Sequence, residues 1–217
     1  MRIATLGAGR MPRALGRRWM AAGHEVFIGA RHPERAAVLG REIGSAHGSL
    51  TDAIDHGEVL LLGVPGAEAP DVITSMGGPD GRLAGRVIID CTNALGVQAF
   101  SDPPRSFMLA RNDVAAEVAR RAAGASVAKC FSMLAAEVWE AHSSTDVSLL
   151  VPICADDPAA IETVARLVRD LDAQPVDAGG LQRAGYVEAM AAFVMGLWFA
   201  GHDARSMLPD LASAAAE

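Results

Sequence analysis

The stretch Arg2-Ile-Ala-Thr-Leu-Gly-Ala-Gly-Arg-Met-Pro12 decides the fold of this chain. Its apolar first half ends in Gly7-Ala-Gly9, and an amphipathic run follows from Arg13 to Ala22. A short apolar run, a glycine pair and a helical pattern predict a β-strand, a tight turn and an α-helix. The chain therefore opens with the first half of a βαβ unit, which is the building block of parallel sheets.

The glycine loop predicts a binding site for a dinucleotide. In such a βαβ unit the first glycine permits the turn, the second lets the backbone approach a pyrophosphate, and the helix N-terminus offers N–H groups to the phosphates. Pro12 stands at the third position, where Gly or Ala is usual, although the first turn of a helix tolerates proline. An ordinary βα turn is the alternative interpretation, because a Gly-x-Gly loop alone is weak evidence. The candidate cofactor-binding residues of this loop are Gly7, Ala8, Gly9, Arg10 and Met11.

Two arginines follow the predicted second strand, which runs from Glu25 to Ala30. Enzymes that bind NAD carry an acid near the end of this strand, about 20 residues after the glycines, to hold the ribose hydroxyls. This chain has Ala30 and Arg31 there, and Arg35 follows four residues later on the same helix face. Two guanidinium groups can grip one phosphate. Ala30, Arg31 and Arg35 therefore predict a preference for NADP(H), with a solvated helix residue as the alternative for Arg35.

Two further turns follow apolar runs that are typical of buried parallel strands. Val64-Pro65 ends one run, and Thr92-Asn93 ends the next. Because ligands of open α/β sheets bind at the carboxyl ends of the strands, Val64, Pro65, Thr92 and Asn93 are candidate cofactor contacts. A plain strand end and local capping of the loop are the alternatives.

Strand and helix patterns alternate along the chain and indicate an α/β fold, a Rossmann-type doubly wound parallel sheet. We expect an NADP-binding Rossmann domain over residues 1–140 and a small C-terminal α/β lobe over residues 141–217, on the substrate and dimer side. Residues 43–47 are too short and polar to predict a third strand. Residues 96–112 form the least regular segment, which could be a flap over the site.

The lobe is predicted to end in a long helix that is apolar on all sides from Ala189 to Ala200. Twelve residues cannot cross a bilayer, which needs about 20. We therefore expect no membrane partner and interpret the run as buried, either inside the lobe or against a second subunit. Of these two, the interface of a homodimer is favoured.

The composition and charge of the chain argue against some classes of binding partner. The net charge is −7, and no basic stripe with interleaved aromatic residues is present, which argues against nucleic acid. The three cysteines are scattered, and the six histidines show no ligand spacing, so we expect reduced thiols and no metal site. Because the first strand begins at residue 2, we also expect no signal peptide and a cytoplasmic location.

At this point the chain resembles a known family, the short Rossmann-type NADP oxidoreductases that depend on the deazaflavin coenzyme F420. The resemblance spans nearly the whole length, and its most specific part is the Pro-Val-Asp-Ala-Gly element. Two residues and one segment depart from the family pattern: Pro12 replaces a small residue, Ser132 stands where many members have Asn, and residues 96–112 are longer than expected. The features that carry the resemblance are Gly7-Ala-Gly9, Ala30-Arg-His-Pro-Glu-Arg35, Asp90-Cys-Thr-Asn93, Val127-Ala-Lys-Cys-Phe-Ser-Met133, Val151-Pro-Ile-Cys-Ala-Asp-Asp157 and Leu171-Asp-Ala-Gln-Pro-Val-Asp-Ala-Gly-Gly-Leu181.

The resemblance implies hydride transfer between NADP(H) and coenzyme F420 as co-substrate, or a similar planar acceptor. Such a transfer needs no acid–base residue, because the cofactors carry the chemistry. No catalytic residue is assigned; Ser132, Met133 and Leu134 are candidates for positioning the deazaflavin, and Lys129 is a weaker candidate as proton donor. Two alternatives stay open: an NADPH-dependent reductase of carbonyls, imines or ferric complexes, and a non-catalytic NADP(H) sensor.

Overall fold

The computed structural model of the protein describes residues 1–99, 107–143 and 148–207. Among these residues, eight strands form one sheet in the order β3-β2-β1-β4-β5-β6-β7-β8. The strands are β1 (Arg2–Leu6), β2 (Glu25–Ala30), β3 (Ala46–Ser49), β4 (Val59–Leu62), β5 (Val87–Asp90), β6 (Ser126–Lys129), β7 (Leu150–Ala155) and β8 (Gln174–Asp177). The helices are α1 (Arg10–Ala21), α2 (Pro33–Ile43), α3 (Leu50–His56), α4 (Ala69–Ser75), α5 (Val114–Arg121), α6 (Ala136–Ala141), α7 (Pro158–Arg169) and α8 (Ala184–Phe199).

The order of the strands confirms the predicted α/β Rossmann-type architecture. From β1 the chain moves outward through β2 to β3, then returns to the other side of β1 and moves outward again from β4. A crevice for ligands forms at such a reversal, outside the carboxyl ends of the central strands. All neighbouring strands are parallel except β6 and β7, which pair antiparallel with Lys129 opposite Cys154.

The core lies on both faces of this sheet. Leu61 packs in one cluster with Trp19 of α1 and Leu167 of α7, while its neighbour Leu62 packs in the other cluster with Ile73 of α4. Adjacent strand residues point to opposite faces, so a strand covered on both sides must be apolar throughout. This explains why the sequence of β4 is continuously apolar.

The third strand, β3, corrects the sequence-based expectation that residues 43–47 are unsuited to a strand. It pairs in register with Phe27–Ala30 at the edge of the sheet, where one flank of a strand faces solvent and polar residues are tolerated. Ser49 then caps α3: its hydroxyl accepts from the backbone N–H of Asp52, and the Asp52 carboxylate accepts from the N–H of Ser49.

The C-terminal part of the chain extends the same sheet. The predicted boundary at residue 140 falls in α6, and β7 and β8 beyond it continue from β6. Helix α8 covers most of the stretch expected to be apolar, yet Phe193 is 60% and Phe199 56% exposed. The predicted burial inside a lobe therefore does not hold for these side chains.

Within the parts of the chain that the structure describes, no helix combines the length and apolar character needed to span a membrane. The predicted flap falls on the segment 96–112, of which residues 100–106 lie outside the described residues. Its described flanks form a bridge between Leu95 and Leu109.

Candidate nucleotide-binding site

A cleft of about 700 Å³ opens at the carboxyl ends of β1, β2 and β4, where the strand order reverses. In Rossmann-type sheets, nucleotides bind at this position. Three separate strand ends contribute residues that the sequence indicated: Gly7, Ala8, Gly9, Ala30, Arg31, Arg35, Val64 and Pro65.

The glycine loop owes its shape to Gly7. Its φ is +130°, and a Cβ placed there would lie 2.2 Å from the carbonyl oxygen of Gly63. The Gly7 N–H donates to the carbonyl of Gly29 at 2.8 Å, and the hydroxyl of Thr5 donates to the Gly7 carbonyl at 2.8 Å. Only glycine fits this conformation and this close approach, so the loop is fixed before any ligand arrives.

Pro12 is accommodated by a second glycine on a facing strand end. The proline is buried, and a Cβ on Gly63 would lie 2.4 Å from the Cγ of Pro12. Close packing of helix on strand normally uses a small residue in the helix. Here the small residue is on the strand side, and the ring of Pro12 does not line the cleft.

The N-terminus of α1 fits a phosphate group. Helix α1 begins at Arg10, its N-cap is Gly9, no side chain caps it, and its first turn contains no acid. The first N–H groups of a helix have no partner within the helix and carry a partial positive charge. With the bare glycine backbone beside them, these groups form a cradle that suits a pyrophosphate.

Arg31 and Arg35 line the cleft beyond the end of β2. Arg31 Nη2 is 3.0 Å from Glu68 Oε2, with 71% and 46% of the two side chains exposed. Arg35 makes no ion pair to any other residue within the described ranges, and it also borders a shallower groove beside Arg10 and Arg13. Both guanidinium groups are thus accessible to an anion in the cleft.

Arg10 and Met11 lie away from the cleft itself. The Arg10 side chain is 80% exposed and its Nη1 lies 2.5 Å from Glu137 Oε1. Met11 is half-buried and packs against the core cluster that contains Trp19. The backbone at these two positions still forms the first turn of α1, which is the part that a phosphate would contact.

The remaining candidates lie at the carboxyl ends of β5 and β6, outside the lining of the cleft. Asn93 Nδ2 donates to the carbonyl of Ser132 at 2.8 Å, which joins the two strand ends. Thr92 and Ser132 are buried. Met133 and Leu134 are half-buried, and Leu134 packs against the core.

Lys129 lies beneath these residues in a fully buried cluster of charges. Its Nζ is 3.1 Å from Asp90 Oδ2 and 3.0 Å from Glu188 Oε1, and it also donates to the carbonyl of Thr92. Burial opposes the charge of Lys129, but the two carboxylates outweigh it and raise the pKa of the lysine. Lys129 therefore stays charged and ties β5, β6 and α8 together.

Sequence reasoning missed several residues of the cleft. Glu68 belongs to a short 3₁₀ helix, Gly66–Glu68, that follows the Val64-Pro65 turn. A signal was present, because an acidic residue soon after the carboxyl end of a central strand lies near the predicted nucleotide. The residues that were not predicted are His32, Leu50, Gly63, Glu68, Asp71, Val72, Ser75 and Met76.

Comparisons with known proteins agree with this geometry. Residues 2–94 match the model of the family described as "NADP oxidoreductase coenzyme F420-dependent", which confirms the resemblance seen in the sequence. An F420-dependent NADP reductase from Methanothermobacter thermautotrophicus is 28% identical over 211 residues, covering 91% of this chain and 89% of that protein. These similarities support an NADP(H)-dependent oxidoreductase.

Two further similarities bear on the fold. A crystal structure of an Arthrobacter sp. FB24 protein is 24% identical, has a TM-score of 0.80, and aligns over 92% of this chain and 94% of that one. The metalloreductase STEAP3 of Rattus norvegicus is 26% identical over 197 residues, or 91% of this chain. The chain spans 38% of the length of that metalloreductase.

Proposed function

We propose that the protein transfers a hydride between NADP(H) and a deazaflavin of the coenzyme F420 type, because residues 2–94 match the model of the coenzyme F420-dependent NADP oxidoreductase family. In the direction that reduces the deazaflavin, the nicotinamide would donate a hydride, and the deazaflavin would accept that hydride together with a proton from water. The relative from Methanothermobacter thermautotrophicus, which is similar over most of both chains, supports the choice of acceptor.

One observation carries the proposal for the nucleotide: Arg31 and Arg35 border the same cleft as the glycine loop. The distance along the chain between Gly9 and Arg31 would allow other arrangements, but the fold places them around one cavity. A guanidinium group prefers phosphate over a ribose hydroxyl because it offers paired charged donors. The arrangement thus favours NADP(H) over NAD(H).

The chain's own residues have three tasks in this mechanism. Gly7, Gly9 and the first turn of α1 bind the pyrophosphate, and Arg31 and Arg35 hold the phosphate on the adenosine ribose. The ends of β5 and β6 position the two rings, because the carboxyl edge of the sheet continues in that direction. Orientation and exclusion of water are the main contributions a protein makes to hydride transfer between two cofactors.

The test is a pair of titrations on the purified full chain. NADPH and NADH are compared by equilibrium binding, and the oxidised deazaflavin absorbance is then followed after adding NADPH and enzyme. We expect tighter binding of NADPH and loss of the deazaflavin band. Tight NADPH binding with an unchanged deazaflavin band would reject the acceptor and leave the nucleotide assignment standing.

Reduction of a ferric complex is the second candidate, and the similarity to a metalloreductase favours it. The same assay with a soluble ferric chelate in place of the deazaflavin distinguishes the two. A chelate that is reduced while the deazaflavin is untouched would support the second candidate. Binding of NADPH without turnover on either acceptor, or on carbonyl and imine panels, would support a sensor.

The exposed apolar side chains of α8 support a homodimer. Tyr186, Met190, Phe193 and Trp198 are all exposed on a single helix, and such apolar patches mark interaction surfaces. Our proposal assigns this surface to a second copy of the chain. Sedimentation of the wild type and of Phe193→Arg tests it, because the charged variant should shift a dimer toward monomer, whereas a monomeric wild type would reject the proposal.

A further inference from the structure

We propose that Thr92, Asn93 and Ser132 together form a binding site for the amide edge of a planar ring at the carboxyl ends of β5 and β6. The inference rests on the proposed function, and it adds the chemical group that these three residues recognise. The ligand group is a C(=O)–N–H unit, which is present both in the carboxamide of nicotinamide and in the imide edge of a deazaflavin.

Three side-chain atoms at this place are buried and have no hydrogen-bond partner among the residues that the structure describes: Thr92 Oγ1, Asn93 Oδ1 and Ser132 Oγ. Thr92 is 5% and Ser132 is 7% exposed. A buried polar group without a partner destabilises the folded protein, so three of them in adjacent loops call for an explanation. A ligand that supplies the missing partners is one.

The orientation of Asn93 defines what that ligand must offer. Its amide nitrogen already donates to the carbonyl of Ser132 at 2.8 Å. The other end of the amide, Oδ1, is left as an acceptor and requires an N–H from the ligand. The hydroxyls of Thr92 and Ser132 can donate, and a carbonyl oxygen next to that N–H is the group they would meet.

Buried charges hold the backbone of this site in place. The Thr92 N–H donates to Asp90 Oδ1 at 2.8 Å, and the Thr92 carbonyl accepts from Lys129. Both polar groups of this residue's backbone are thus held by one ion pair, whose Nζ–Oδ2 distance is 3.1 Å. Glu188 holds the far side of Lys129.

After β6, the backbone conformation of Phe131 determines the orientation of Ser132. The φ of Phe131 is +63°, a left-handed conformation that is unfavourable for a large side chain. The ring packs edge-on against Trp19 at 5.8 Å and Trp139 at 5.4 Å, which keeps the residue in this conformation. Strain that is enforced by packing is found mainly at functional sites, and here it sets the direction of the next residue.

The site adjoins the nucleotide cleft. Gly66 follows Pro65, a residue of the cleft, and a Cβ on Gly66 would lie 2.6 Å from the backbone nitrogen of Ala94. The turn after β4 therefore contacts the loop that carries Thr92 and Asn93. A nucleotide whose adenosine end lies near Arg31 would extend along the sheet edge toward this loop.

The experiment uses Thr92→Val and Ser132→Ala, separately and combined, in the full chain. Each change removes a hydroxyl that has no partner within the described ranges of the chain, so thermal stability should stay the same or rise. Thr163→Val is the matched control, because the Thr163 hydroxyl donates to Ala159 on a distant helix. Affinity is measured for NADP⁺ and for 2′,5′-ADP, which lacks the nicotinamide.

If the site holds the carboxamide, the double variant should bind NADP⁺ about three- to tenfold more weakly and 2′,5′-ADP unchanged. Asn93→Leu should show a similar loss with NADP⁺ but not with its 3-acetylpyridine analogue, which has no amide N–H. If the site holds the imide edge of the second ring, NADP⁺ affinity stays unchanged and the KM for the deazaflavin rises by a similar factor.

The proposal is overturned if the double variant changes neither NADP⁺ affinity nor the deazaflavin KM. It is also overturned if 2′,5′-ADP weakens as much as NADP⁺, because a general distortion would then be the cause. Failure of the proposed function gives a different result: the wild type itself would not bind 2′,5′-ADP or NADPH, or it would bind NADPH and leave the deazaflavin unreduced.

Discussion

Arg31 Nη2 lies 3.0 Å from Glu68 Oε2, so the guanidinium expected to hold the nucleotide phosphate pairs with a carboxylate of the same cleft. Both side chains are substantially exposed, and exposed ion pairs contribute only about 0–1 kcal/mol. A phosphate can therefore displace Glu68 at little cost. The carboxylate would compete with the phosphate for Arg31 and repel it, so we expect Glu68 to lower the affinity for NADPH.

Glu68→Gln should increase NADPH affinity about two- to fivefold, the size expected for loss of an exposed pair. NADH affinity should hardly change, because NADH has no phosphate at this position. Isothermal titration calorimetry measures both. Glu58→Gln is the control, since Glu58 pairs with Arg2 at the opposite end of β1. Equal affinities of Glu68→Gln and the wild type for NADPH would show that the pair does not compete with the phosphate.

Arg31→Ala combined with Arg35→Ala should weaken NADPH strongly and NADH hardly at all. Each charge-assisted hydrogen bond contributes about 1.5–3 kcal/mol to binding. Because Arg31 is exposed, we expect a value near the lower end of this range, which corresponds to about a tenfold loss of NADPH affinity per arginine. Equilibrium fluorescence titration with both nucleotides checks this. Arg17→Ala, an exposed arginine of α1 that pairs with Glu42, is the control. An equal loss for both nucleotides would refute the phosphate clamp.

Gly63→Ala should destabilise the protein by about 1–3 kcal/mol, as overpacking of a core does. The reason is the 2.4 Å approach of a Cβ at this position to Pro12 Cγ. Pro12→Ala should restore most of the stability of Gly63→Ala, which urea unfolding of the double-mutant cycle would detect. Gly16→Ala is the matched control, because its Cβ would meet only ordinary contacts, the nearest at 3.4 Å. Additive effects of the two changes would contradict direct packing of Pro12 on Gly63.

Stability should decrease as the pH rises above about 9. Burial raises the pKa of the Cys91 thiol from its ordinary value of 9.0 to about 12. A group with a raised folded-state pKa contributes its full stability below the unfolded pKa and loses that contribution as the pH approaches the folded pKa. Urea midpoints from pH 7 to 10 should therefore fall more steeply for the wild type than for Cys91→Ala. Parallel curves would exclude Cys91 as a source of the pH dependence.

The sequence predicted the residues that act locally and missed those that meet across the fold. The position of the glycine loop and Arg31 around one cleft was predictable, because it follows from their distance to a strand end. The pairing of Glu68 with Arg31 was not predictable, since this contact joins two connections that are 37 residues apart. The same holds for Gly63, which explains how Pro12 is tolerated.

Strand β3 and the cluster around Lys129 also depend on contacts between parts of the chain that are distant in sequence. The edge position of β3 made its polar residues acceptable, and edge position depends on the order of all strands. Lys129 looked like a weak candidate for proton donation, but its partners Asp90 and Glu188 come from β5 and α8. A single strand pattern does not contain either partner.

The antiparallel pairing of β6 with β7 has a consequence for the last helix. Because β7 runs against β6, α8 passes Lys129 at Glu188 and continues beyond the carboxyl edge of the sheet, where Phe199 stacks on Phe107 at 4.8 Å. The apolar end of α8 thus stands beside the rim where the two rings are proposed to react. A second subunit docked on that end would cover the site of hydride transfer and exclude bulk water from it. Variants that weaken dimerisation would then also lower the turnover rate.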